Sequence, residues 1–153
     1  MRTERSKEAA ERSREAREYL LEYRSAKREA ADMELRLTQL RLKYALPKAT
    51  QYSTMPSAHD HNRDLSDYMA AFEELEDYLI KKHTNCIGKE VDIYMRLDMM
   101  EDELEREVLK FRYIDLTPEN KLRSWKSVAN KMNYDISTVV RIHGRALLNF
   151  PLD

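Results

Sequence analysis

VANKMNYDISTVVRIHGRAL, residues 128–147, is the stretch whose reading decides the fold. Two short helices that cross at a steep angle need small and apolar side chains at fixed offsets, because their backbones approach closely at the crossing. Counted from Trp125, Val128 and Ala129 come fourth and fifth, where a second helix must approach. Met132 and Tyr134 flank Asn133, a residue that tolerates the left-handed backbone of a tight turn. Asp135, with Ser137 as the competing cap, can accept from the free N–H groups of a following helix, and Val139 and Ile142 then face back toward the first. The offsets predict a helix-turn-helix whose second helix covers 136–149.

With Asp135 as cap, that helix turns Ile136, Ser137, Thr138, Val140, Arg141 and Arg145 away from its core face. Arg141 suits a guanine edge or a phosphate, Ser137 and Thr138 suit either, and Ile136 or Val140 suits a thymine methyl. Lys126, with Lys131 and Arg123, would neutralise phosphates alongside. The whole chain carries no such signal, since 27 basic residues against 28 acidic leave a formal net charge of −1. The charge is local: Lys121, Arg123, Lys126, Lys131, Arg141 and Arg145 face a single acid, Asp135, between residues 121 and 150. A packed helical pair with an idle outer face fits the same spacing. His143, just before Gly144, is expected to pack or to touch a phosphate rather than to catalyse.

Upstream, DMMEDELERE (98–107) and VLKFRYID (108–115) form a third helical stripe through Leu104, Val108, Leu109, Phe111 and Tyr113, acidic at its start as a helix dipole favours. Thr117-Pro118 ends it or opens a short loop. EREVLKFRYID followed by SWKSVANKMNYDISTVVRIHGRALLNF resembles region 4 of sigma factors. It is also similar, more closely, to a family of small prophage proteins from low-GC Gram-positive bacteria, through YxxxxVxRIHGxAL at Tyr134 to Leu147 and through TMPSAHDHNRDLSDYMAAFEEL upstream. The resemblance spans roughly residues 17–150. It implies a DNA-binding regulator of phage transcription, sigma-like and acting on late genes, or a polymerase-associated factor, with recognition by the second helix. Ile136, Ser137 and Thr138 stand where region 4 commonly offers basic or polar groups, so promoter-element specificity is not carried over. The loop DLTPENKLRS is also longer than the family usually has.

Further out, residues 4–46 hold neither Gly nor Pro, and Tyr19, Tyr23, Ala26, Ala30, Met33, Leu37, Leu40 and Tyr44 step by four and three in alternation. That is a heptad seam on one long helix, fading before Tyr19 into a charged end expected to fray. Pro47 and Pro56 bracket a polar loop over 47–63. A second long helix is predicted over 64–97, capped by Asp64 or Asn62 and kinked or split at Asn85 to Gly88. The two helices are expected to pair as an antiparallel hairpin or with those of a second chain, most simply as a dimer.

Little else carries chemistry. His59-x-His61 and His83-x-x-Cys86 have metal-like spacing but lack a third and fourth ligand, so solvated histidines and a small polar layer are the expectation. No nucleophile–base pair or phosphate loop stands out, and neither enzyme activity, cofactor nor metal is expected. One cysteine, no apolar run of bilayer length and a charged N-terminus lead to an expectation of the bacterial cytoplasm. The sequence is thus read as all-α, with a helical hairpin over 1–97 and a region-4-like domain over 98–153. The expected role is a phage or prophage transcriptional regulator binding double-stranded DNA. The alternatives are a small terminase subunit for DNA packaging and a protein-only adaptor that binds host RNA polymerase.

Overall fold

The computed structural model describes residues 2–45 and 61–152, and every regular element among them is helical. Helix α1 (Arg2–Ala45) and helix α2 (His61–Asp98) account for most of the chain. They run side by side in opposite directions, as three cross-helix contacts fix: Lys89 Nζ to Glu22 at 2.6 Å, Lys82 Nζ to Glu29 at 2.6 Å and His83 Nε2 to Glu34 at 2.8 Å. Exposed pairs of this kind add little stability but do set register. The apolar seam does the holding. Tyr23, Ala26, Ala30, Met33 and Leu37 of α1 are buried, and Cys86, Ile93 and Leu97 of α2 are buried with them. The two alanines allow close backbone approach, as ridge-into-groove packing needs.

Three expectations are corrected here. Asn85 to Gly88 does not split α2, which stays helical throughout; Gly88 has no positive φ and its neighbour Cys86 is anchored in the seam. Helix α2 begins at His61, ahead of both Asn62 and Asp64, so neither is its cap. On α1 the buried stripe reaches one turn further than expected before it fades: Ala16 is fully buried, as is Leu20, because elements far along the chain pack on this part of α1, while residues 4–15 are exposed or half-buried. The loop ahead of α2, the side chain of Tyr44 and the His59-x-His61 cluster lie outside the described residues.

After Asp98 the chain turns and enters α3 (Glu103–Leu109), capped by the Asp102 carboxylate, which accepts from the backbone N–H of Leu104 at 2.9 Å and of Glu105 at 3.2 Å. A π segment (Lys110–Ile114) follows without a break, its wider turn shown by the Asp115 N–H donating to the Lys110 carbonyl five residues back. Helix α4 (Trp125–Met132) and helix α5 (Ile136–Asn149) complete the fold.

The buried residues form one cluster that crosses the boundary expected at residue 97. It takes Ala16, Leu20 and Tyr23 from α1, Ile93 and Leu97 from α2, Val108 and Leu109 from α3, and Val139, Ala146, Leu147 and Phe150 from the C-terminal end. The junction is reinforced by polar contacts. Tyr19 lies against Phe150 with ring centroids 5.8 Å apart, the Arg96 guanidinium sits 4.8 Å above the Tyr19 ring, and Arg96 donates to the Pro151 carbonyl at 2.8 Å.

Helix α2 also carries a second apolar stripe. Leu65, Met69, Ile80, Ile87, Val91, Tyr94 and Met95 fall within about a third of the helix circumference beside the buried seam, Ile80 and Ile87 bordering the groove with α1, and all are exposed.

Candidate nucleic-acid interface

The turn between α4 and α5 is built by local chemistry. Asn133 ends α4 with φ 58° and ψ 39°, the left-handed conformation a short polar side chain tolerates, and its N–H and that of Tyr134 close the helix on Asn130 and Ala129 carbonyls. Asp135 then caps α5, accepting from the Thr138 N–H at 2.9 Å, from the Thr138 hydroxyl at 2.7 Å and from the Ser137 hydroxyl. These three donors hold the Asp135 carboxyl well below the usual carboxylate range. The cap is therefore charged at any ordinary pH. Val128 and Ala129 of α4 and Val139 and Ile142 of α5 are all buried in the common cluster.

The seven residues assigned to DNA contact from the sequence fall into three groups. Ser137 and Arg141 lie on the outward stripe of α5 together with Gly144, one helical turn apart in succession. Ile136 and Val140 flank that stripe and are 47% and 43% exposed, while Lys126 is exposed on α4. On the other flank Arg145 turns back toward α3, its Nε 3.6 Å from Oε1 of Glu105, and Thr138 is half-buried. Neither Arg141 nor Lys126 makes an ion pair among the described residues.

Two details narrow what this surface can read. A hydroxyl has one proton to give, and those of Ser137 and Thr138 go to Asp135. Their remaining lone pairs can accept from the exocyclic amines of adenine or cytosine but leave nothing to donate to a phosphate. Gly144 is the second detail: a Cβ there would meet nothing within 4 Å, so no packing inside the protein requires the glycine, although Ala would favour the helix by about 1 kcal/mol.

Residues beyond the sequence reading support the surface from behind. Glu105, 3% exposed, accepts from Asn149 Nδ2 at 2.8 Å and attracts Arg145, so one buried carboxylate orients two residues of α5 a turn apart. His143 is buried and cannot reach a phosphate. Its Nε2 is 3.0 Å from the Tyr113 hydroxyl and its ring lies edge-on to Trp125 with centroids 4.7 Å apart. Burial, helped by the positive charges of Arg17 and Arg112, lowers its pKa to about 4, so it is neutral at pH 7. Lys131 pairs with Asp115 at 2.7 Å and covers the Phe111 ring, and Arg123 donates to the Asp115 carbonyl at 2.6 Å, so both are committed to the loop before α4.

His83 reaches Glu34 across the helix pair while Cys86 is buried in the seam, its thiol pushed up by burial and by Glu90. No helix among the described residues is long and apolar enough to cross a membrane. No protein-family profile, curated protein or solved structure matches the chain.

Proposed function

We propose that this protein is a DNA-binding transcriptional regulator of phage or prophage type, in which α4 and α5 act as a helix-turn-helix resembling sigma region 4 and α5 enters the major groove. The observation that carries this reading is the outward stripe of α5. Arg141 stands there without an ion pair among the described residues, one turn from Ser137, beside a glycine that packing among those residues does not need and that lets an external backbone come close. Lys126 adds a phosphate contact from α4 and Ile136 and Val140 an apolar flank. Arg145, held by Glu105, steadies the helix more than it reads.

The test is binding to duplex DNA from the protein's own genomic neighbourhood across a series of salt concentrations. Selective, salt-sensitive binding is expected, with Arg141→Ala losing about 1–3 kcal/mol and Lys126→Ala weakening all sequences alike while reducing the salt slope by about one. Indifference to DNA at low salt would sink the proposal.

One such unit contacts a half-site, and a second copy doubles the reading. The exposed stripe of α2 suits that second copy. Its seven large apolar side chains, each exposed by a third or more, approach the roughly 800 Å² that each partner brings to a standard interface. A dimer is expected in light scattering, with Ile87→Glu giving a folded monomer; a wild-type monomer at high concentration would remove the dimer from the proposal.

A further inference from the structure

Several basic residues of the described fold find carboxylates, although Arg141 and Lys126 on the outer face do not. Arg14, Lys82, Lys89, Arg96, Lys131 and Arg145 each pair with an acid. Four arginines at the junction of α1, the π segment and the loop before α4 do not. Arg24 Nε donates to the Asn120 carbonyl at 3.3 Å, Arg112 donates to the Arg123 carbonyl, Arg123 Nε donates to the Asp115 carbonyl at 2.6 Å, and Arg17 lies near enough to Tyr113 and Arg112 for its charge to act on both. Every one of these acceptors is neutral. Among the described residues none of the four is in an ion pair.

The arrangement is more than a set of braces for the loop. Arg112 is fixed from two sides, its guanidinium 4.4 Å over the Trp125 ring and one N–H on a carbonyl, and its Nε is buried with no partner. Arg17 and Arg24 are two turns apart on α1, so they project from one face of it toward Arg112, whose charge both repel. A guanidinium has five N–H donors, and Arg24, Arg112 and Arg123 each spend one on a neutral carbonyl that holds the side chain in place without neutralising its charge. Like charges gathered and anchored this way lack only an anion. The planar fork of arginine matches the oxygens of a phosphate group better than any other side chain does.

We propose that Arg17, Arg24, Arg112 and Arg123 form an oxyanion site for a phosphate group at this junction. The group belongs either to a nucleic-acid backbone passing the N-terminus of α4 or to a small phosphorylated ligand. The site stands on residues outside the α5 surface, so it does not depend on the major-groove reading.

Trp125, the only tryptophan of the chain, lies directly under Arg112 and reports on the site. The full-length protein is titrated with inorganic pyrophosphate at constant ionic strength, following Trp125 fluorescence. A saturable change with Kd in the roughly millimolar range or tighter is expected. Arg17→Gln, at an exposed position, should weaken it about tenfold or more without lowering the melting temperature of the ligand-free protein, since it removes one repelling charge. A residue that merely braces the loop would do the opposite, leaving the titration intact or destabilising the free protein. No saturation, an equal response to sodium chloride, or an unchanged titration in Arg17→Gln each overturns the site. The same variant then separates the two sources: weaker duplex DNA binding with a salt slope smaller by about one assigns the site to backbone phosphate. Unchanged DNA binding alongside lost pyrophosphate binding assigns it to a small ligand.

Discussion

Between pH 7 and pH 4 the wild-type protein loses about 3 kcal/mol more stability than its His143→Gln variant, measured by urea unfolding at a series of pH values. The figure follows from a folded pKa lowered to about 4 against 6.5 for a free histidine. Between those two values the unfolded chain binds a proton that the folded chain refuses, so stability rises with pH across the window and is flat above it. The refusal has a physical source: the ring is enclosed by Tyr113 and Trp125, and the nearest charges, Arg17 and Arg112, are positive. Gln at 143 can still accept from the Tyr113 hydroxyl and has no proton to gain. Parallel pH profiles for the two proteins would show that the imidazole has water or an acid within reach after all.

Leu20→Ala is expected to lower stability by about 2–5 kcal/mol, the range for emptying a leucine site that cannot collapse. Leu20 is fully buried where α1 meets the C-terminal elements, in one cluster with Val108, Leu147 and Phe150. The loss should therefore appear together in far-ultraviolet circular dichroism, which reports all the helices, and in Trp125 fluorescence, which reports only the C-terminal part. A Trp125 transition that stays in place while the dichroism moves would mean that the long helices melt as a separate unit.

The parts of the fold legible in the sequence are those decided by neighbours. Asn133 turns the chain and Asp135 caps α5 through contacts no more than a few residues away, and the spacing of Val128, Ala129, Val139 and Ile142 is likewise local. What escaped was decided at a distance. Ala16 looks like any residue of a charged, Ala-rich run until α5 and the π segment are laid over it. The unbroken course of α2 past Gly88 depends on the seam it shares with α1. The arginine site is harder still, because its members at 17, 24, 112 and 123 have in common only the place where the fold brings them. Of the α5 surface, the exposed positions were readable from helical spacing. The commitment of the Ser137 and Thr138 hydroxyls to Asp135, and of Arg145 to Glu105, was not, since each depends on which of two reachable partners a flexible side chain takes.

Because α1 is continuous from its contacts at Ala16 and Leu20 to Leu42 near its far end, about 33 Å of rigid rod separates the two. No hinge intervenes. The chain is in this respect a ruler: whatever is held at the far end of the helix pair stands at a set distance and a set angle from α5. One residue inserted into α1 beyond Ala26 would swing that end by about 100° while leaving every side chain near α5 in place.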